Sequence, residues 1–374
     1  MRALLRVGPG EAEVVERATP EPGPGEVRVR ISACGICGSD LARLRDEDPK
    51  WNRVVLGHEC SGVVDAVGEA LPSGTGVSPV VGQRVALVPL APDFTCPYCR
   101  RGEFSLCDGY SFFGSRRDGG LAEYLVAPAV NFLPVPDAVD DEAAAMLEPL
   151  SVATKACLLG GMSPARQASE QRTGVCGSAA LRQTRPYAET PSVLVMGAGA
   201  IGLLAVEVAL ALGADPVIAC DVVPEKLALA EALGAQTVLS DANSAARVRE
   251  ITGGGADICL ECSGHWAAFA PALESLGKGG TLVLVGTGPR EVTLSGEQRE
   301  QLCRRMLTVR GQWMSYGPTW PGEPWTLPLE LMAAGRIDPL RLITHRYALE
   351  QGPEAVRMML APGADFLKVM INNE

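Results

Sequence analysis

Val193-Leu194-Val195-Met196-Gly197-Ala198-Gly199-Ala200-Ile201-Gly202 decides the fold of this 374-residue chain. Val193 to Met196 is a short apolar run of the kind that forms a strand buried on both faces. A G-x-G-x-x-G pattern follows, and the apolar residues from Ala200 to Leu212 read as a helix. The glycines alone are a weak signal; between a strand and a helix they acquire a physical meaning. Gly197 permits a tight turn, Gly199 lets the backbone approach a pyrophosphate, and Gly202 lets helix and strand pack closely. The helix start at Ala200 and Ile201 offers free N–H groups and a dipole to the phosphates.

Working toward the C-terminus, the pattern repeats. A strand is expected at Val217–Cys220, a helix at Pro224–Leu233 and a strand around Thr237–Leu239. Further strands are expected at Asp257–Glu261, Thr281–Val285 and Leu307–Gly311. Such alternation predicts an α/β unit with a doubly wound parallel sheet. Asp221 falls at the end of the second strand, where a carboxylate accepts hydrogen bonds from adenosine ribose and repels a 2′-phosphate. Val222 and Val223 follow it, with no Arg to hold that phosphate, so the motif favours NAD over NADP. Lys226 reads either as a further ribose contact or as part of a solvated helix face.

Working toward the N-terminus, residues 1–155 read differently. They are rich in Gly, Pro and Val, and Glu26 to Ile31 alternates with the period of a half-buried strand. Arg84–Leu90 reads as another strand, and Pro20, Pro22 and Pro24 mark a turn. A polar stretch, 163–190, has little apolar periodicity and reads as an insert loop. Three parts are therefore expected: a mainly β domain over 1–155, a nucleotide-binding domain over 156–313, and a C-terminal segment over 314–374. The net charge of −11 argues against nucleic acid as a partner. No apolar run reaches the roughly 18 residues that a membrane-spanning helix needs. The N-terminus has no signal-peptide core, so a cytoplasmic location is expected.

Twelve cysteines in such a chain call for an explanation other than disulfides. Cys157, Cys220, Cys259 and Cys303, with Cys60, read as small buried hydrophobes. Two other groups read as metal ligands. His58, one of only three histidines, is followed by Glu59 in the glycine-framed GHECSG, with Cys34 and Cys37 upstream in CGICGSD. Imidazole, thiolate and carboxylate together are a zinc donor set. Asp93, Cys96, Cys99 and Cys107 form the second group: C-x2-C with a third thiol eight residues on can enclose a tetrahedral ion. The alternative there is an empty, reduced cysteine lobe.

In the order CGICGSD, GHECSG, cysteine lobe, LEPLSVATKA and VLVMGAGAIG, these motifs resemble the zinc-dependent medium-chain alcohol and polyol dehydrogenases. FFGSRRDGGLAEYLV, WMSYGPTWPGEPW and PLRLITHR are most similar to the galactitol-1-phosphate 5-dehydrogenase branch. The resemblance implies a GroES-like, mainly β catalytic domain beside a Rossmann coenzyme domain. It implies NAD and two zinc ions per chain, one catalytic and one structural. Cys37, His58 and Glu148 would hold the catalytic zinc, with Glu59 at or just outside its first ligand shell. Ser39 would relay the alcohol proton, and Asp93 with the lobe cysteines would hold the structural ion. The substrate would be a small alcohol, a polyol, polyol phosphate or cyclitol, with an aminocyclitol or amino alcohol as the alternative. A non-catalytic nucleotide-binding redox sensor is the alternative of another class. A homodimer or homotetramer is implied, through a segment near Thr308–Trp313. Lys155 and Ser315 stand where relatives often carry His and Arg, which bears on substrate choice. Arg116 and Arg117 are candidate substrate contacts or a solvated turn; Trp313 and Tyr316 either wall a pocket or pack.

Overall fold

The computed structural model describes residues 1–69, 79–163, 190–288 and 290–373. The expected insert loop, 163–190, lies outside the described residues except at its two ends. The chain forms two compact units, Met1–Ser151 with Tyr316–Glu374, and Val152–Ser315. The helix Leu147–Gly160 carries the chain across the first division, so that division falls at Ser151/Val152 rather than at 155/156.

The second unit is built on six parallel strands. In chain order they are Val193–Met196, Val217–Asp221, Gln236–Leu239, Ala256–Glu261, Leu276–Leu284 and Thr308–Gly311. Their order across the sheet is 3-2-1-4-5-6, so the topology reverses between the first and fourth strands. Open α/β sheets bind ligands outside the carboxyl ends of the strands at such a reversal. Val193–Met196 is buried throughout, and Leu194, Ile218, Val238 and Leu282 share one core. Cys220 and Cys259 join it, and burial pushes both thiols up. Cys303 departs from the expected burial: its helix, Gly296–Arg304, buries no residue and leaves the thiol exposed. The last strand, Thr308–Gly311, is an edge strand with all four residues exposed.

The first unit is mostly β. A seven-stranded sheet runs Ile343–Ala348, Lys368–Asn372, Glu26–Ile36, Glu59–Val67, Arg84–Leu87 and Phe132–Pro134, and Tyr124–Pro128 also pairs with Glu26–Ile36. Val27, Val29 and Ile31 point into the core, as their alternation predicts. That strand continues to Ile36 because Ala33–Ile36 pair with Val369–Asn372. The expected strand Arg84–Leu90 is interrupted: it ends at Leu87, and Leu90–Ala91 pairs separately with Ser111–Phe112.

Candidate active site

Cys37 ends the long strand and caps the helix Gly38–Arg45. Its Sγ accepts the Ser39 N–H at 3.5 Å, and its own N–H donates to Asp40 Oδ2 at 3.1 Å. This reciprocal cap fixes the direction of the sulfur. His58 enters from the loop before Glu59–Val67, whose last turn is set by Gly57 at φ +89°. A side chain at Gly57 would strike Cys34 Sγ and Leu121 at 2.7 Å, so the loop has little room to move.

Cys37, His58 and Glu59 each place a ligand atom within 4.8 Å of the other two. The resemblance puts Glu148 in this set and Glu59 at or just outside it. Glu59 belongs to this group, and Glu148 does not fall within the same limit. The physical reason is the strand geometry: Glu59 directly follows His58 and opposes Gly35, whose missing Cβ would lie 2.4 Å from the Glu59 carboxylate. Glu148, at the start of its own helix, is still close enough to sense the group. Burial pushes its carboxyl up to about 7, with Glu59 and Asp40 adding to the rise and His58 and Lys368 opposing it.

Two buried charges frame the group that the sequence reading missed. Lys368 Nζ donates to Glu59 Oε2, with both side chains almost completely buried. Burial pulls that ammonium down, but Glu59 and Cys37 outweigh it and the pKa ends above the ordinary value. Asp40 is fully buried, and its Oδ1 lies 3.5 Å from His58 Nδ1 and 3.1 Å from Arg43 Nη1. Burial works against the Asp40 carboxylate, yet His58, Arg43 and the Cys37 N–H hold its pKa below the usual range. Burial likewise opposes a charged His58, and Asp40 and Cys37 overcome it. The His58 Nδ1 is buried and makes no hydrogen bond. An imidazole, a thiol and a carboxylate whose ligand atoms lie within 4.8 Å of one another suit a zinc ion, and Asp40 faces the imidazole at Nδ1. Ser39 is exposed beside this group, and its Oγ accepts the Arg43 Nη1–H at 3.0 Å.

The second cluster is brought together in full. Asp93, Cys96, Cys99 and Cys107 place one ligand atom each within 4.8 Å of the others. Asp93 Oδ1 accepts the N–H groups of Thr95 and Cys96 at 2.7 and 2.8 Å, which hold its carboxyl down at about 2. Backbone N–H groups of Asp93 and Cys99 donate to the sulfurs of Cys107 and Cys96 at 3.3 and 3.4 Å. Phe94 takes a left-handed φ of 56°, which turns the chain between Asp93 and the first thiol. Three sulfurs and one carboxylate supply the four donors that a structural, tetrahedral zinc site needs.

In the second unit, Gly197 has φ +94°, and a Cβ there would meet Ser263 at 2.8 Å. A Cβ on Gly202 would lie 1.8 Å from the Gly197 carbonyl oxygen, so close packing demands glycine. A Cβ on Gly199 would meet nothing within 4 Å, which leaves open space over the turn. The helix Ala200–Ala211 has no side-chain cap, so its first N–H groups, at Ala200 and Ile201, are available to phosphate. Asp221 accepts the N–H groups of Ala198 (2.6 Å) and Val223 (2.9 Å), which orients its carboxylate and leaves other lone pairs free. Lys226 is half-buried on the helix Pro224–Ala232. At the carboxyl ends of the fourth and fifth strands, Glu261, His265, Trp266 and Leu284 line a cavity of about 380 Å³.

The remaining candidates fall elsewhere. Arg116 is exposed, donates to the Tyr110 carbonyl at 2.6 Å and lies 4.0 Å over the Tyr110 ring. Arg117 is exposed over Phe113 and lines a different cavity, beside Arg17 and Asp118. Tyr316 is buried, stacks between Trp320 and Trp325, and its hydroxyl accepts the Leu90 N–H at 3.1 Å. Trp313 is more than half exposed.

Known proteins share this arrangement. Residues 23–137 match the alcohol dehydrogenase GroES-like domain, and residues 200–327 match the zinc-binding dehydrogenase domain. Galactitol 1-phosphate 5-dehydrogenase of Escherichia coli (strain K12) is 36% identical over 364 residues, 96% of each chain. L-idonate 5-dehydrogenase of Vitis vinifera is 32% identical over 94% of this chain and 89% of its own. The crystal structure of galactitol-1-phosphate dehydrogenase from Escherichia coli superposes with a TM-score of 0.83 at 33% identity, covering 100% of both chains. Fold, donor sets and relatives agree, and the chain belongs to the zinc-dependent medium-chain alcohol and polyol dehydrogenases.

Proposed function

We propose that the enzyme oxidises a secondary hydroxyl of a polyol or polyol phosphate, with NAD as the hydride acceptor and zinc held by Cys37, His58 and Glu59. The observation that carries this reading is the clustering of those three donors within 4.8 Å, on a strand end and a glycine-braced loop. When bound, zinc polarises the substrate oxygen and the nicotinamide takes the hydride. The protein's own groups do the rest. Ser39, exposed beside Cys37, relays the hydroxyl proton, its Oγ accepting that proton as its own O–H proton passes out toward solvent, and Arg43 holds the Oγ in place. Asp40 orients the His58 ring, and Lys368 holds the Glu59 carboxylate. Glu148, close enough to sense His58 and Glu59, is a second carboxylate available to the same ion.

Asp221 selects NAD over NADP, since its carboxylate is fixed at the end of the second strand and Val222 and Val223, not an arginine, follow it. The lobe of Asp93, Cys96, Cys99 and Cys107 holds a second, structural zinc. The similarity to galactitol 1-phosphate 5-dehydrogenase supports a phosphorylated polyol as the first substrate to test. A homodimer or homotetramer in the cytoplasm completes the proposal; the exposed edge strand Thr308–Gly311 supports the assembly. The test is an NADH-absorbance screen over polyols, polyol phosphates and aminocyclitols, before and after chelation, with metal counted per chain. Turnover that survives complete removal of zinc would reject it.

A further inference from the structure

The nucleotide motif occupies the carboxyl ends of the parallel strands. At their amino ends, where Ala256–Glu261 and Leu276–Leu284 begin, lies a cavity of about 570 Å³. Arg249, Lys278, Arg305, Gln301 and Asp257 line it, together with the bare backbone of Thr252–Gly255. A Cβ at Gly253 or Gly254 would meet nothing within 4 Å, so this wall leaves the space clear. The backbone is not the recognition element, because the Gly254 and Gly255 N–H groups already donate to the Arg249 carbonyl and to Thr252 Oγ1. Recognition falls to the side chains, and these are predominantly cationic.

Each arginine has a local reason for its place. Arg249 sits in the last turn of the helix Ser244–Ile251, and Arg305 caps the C-terminus of Gly296–Arg304. Cations are favoured at helix C-termini. Arg249 Nη1 also donates to the Glu274 carbonyl at 3.2 Å. What carbonyls do not supply is a counter-ion. Among the described residues, neither Arg249 nor Arg305 has a carboxylate within salt-bridge distance. The Arg305 Nη2 is buried with no hydrogen-bond partner. Burial, and to a lesser extent the Arg249 charge, pull the Arg305 guanidinium below its ordinary pKa. Asp257, the carboxylate in the wall, is engaged with the N–H and O–H of Ser192 at 3.0 and 2.8 Å. A chain of net charge −11 thus gathers three cations around one open space.

We propose that this cavity is a phosphate-binding site, separate from the nucleotide motif, for a small phosphorylated molecule or free phosphate. Guanidinium forks match phosphate oxygens in pairs, and the volume lies within the range of small-molecule pockets. Gln301 can bind a neutral part of the same ligand.

The test uses zinc-loaded enzyme saturated with NADH, so that the nucleotide site is filled. Pyrophosphate, inorganic phosphate and glycerol 3-phosphate are titrated calorimetrically at constant ionic strength. Binding of at least one of them is expected, weakened tenfold or more in Arg305→Gln and in Arg249→Gln, with the KM for NAD unchanged in both. Arg305→Lys, which keeps the charge, should retain most of the affinity and guards against a folding defect. Preference for glycerol 3-phosphate assigns the site to phosphate esters, and preference for the inorganic ions assigns it to those. No binding to the NADH-saturated enzyme, or equal binding in Arg249→Gln, overturns the proposal.

Discussion

Replacing Lys368 with Met tests whether the buried ion pair fixes the geometry of the metal group. The Lys368 and Glu59 side chains are 5% and 2% exposed, so solvent cannot screen the charge left behind. Removing one partner of a buried pair costs about 3–5 kcal/mol, chiefly because the remaining charge has no compensation. For a domain of this size, 1 kcal/mol shifts Tm by about 2–4 °C, which gives a fall of roughly 6–20 °C in the metal-free protein. Glu148 also faces Lys368, so the loss leaves two carboxyls together and favours protonating one of them. Zinc brings two positive charges to the same place, so the loss should be smaller in the zinc-loaded enzyme. Calorimetric melting of both forms, with Lys368→Met/Glu59→Gln as the double variant, measures this directly. Partial recovery in the double variant of the metal-free protein is expected. A fall of less than about 2 °C in the metal-free single variant, or an equal fall with and without zinc, would refute the reasoning.

Three further outcomes are expected. Asp221→Ser should weaken NAD by about 1.5–3 kcal/mol, the range for hydrogen bonds to charged groups, and improve the relative use of NADP; steady-state KM values for the two cofactors check it. Asp93→Ala should lower the zinc content from two ions per chain to one and loosen the cysteine lobe, as read by metal analysis and limited proteolysis. Glu142 accepts from Arg346 and Asn372. Burial raises its carboxyl, but these partners prevail and hold its pKa below the ordinary 4.5. A depressed carboxyl stabilises the fold above the unfolded pKa and loses that contribution as pH falls through the folded one. Glu142→Gln should therefore melt below the wild type at pH 7, and the gap should close below about pH 4.5.

The coenzyme unit was nearly all legible because its signals are local. The strand Val193–Met196 and the helix start at Ala200 fall where the apolar run and the glycines put them. The strand Leu276–Leu284 begins five residues before the expected Thr281, and the helices Ser244–Ile251, Phe269–Ser275 and Gly296–Arg304 were not anticipated. Gly277, Lys278, Gly279 and Gly280 carry no strand pattern and fall at an irregularity in the ladder, between the pairs Leu276 with Ala256 and Thr281 with Ile258. The catalytic unit was less legible because its partners are remote. His58 could be named from its glycine-framed setting and Cys37 through the family resemblance, but Lys368 lies 309 residues from Glu59. Its only sequence signal is a single Lys heading the apolar Val369-Met370-Ile371, which alternation alone reads as exposed. Asp40 was visible within CGICGSD, yet only the fold turns its carboxylate toward His58.

The pairing of Ala33–Ile36 with Val369–Asn372 also sets a schedule for biosynthesis. The whole coenzyme unit lies between these two strands in the chain. At about 5–20 residues per second, roughly 20–70 s of translation separate them. The coenzyme unit, continuous from Val152 to Ser315, is complete while the catalytic unit still waits for its closing strand. During that interval Cys34 and Cys37 lie on an uncovered sheet edge, and Glu59 has no Lys368. The Glu59–Lys368 pair beside Cys37 and His58 is thus completed only at the end of synthesis, after the coenzyme unit is whole.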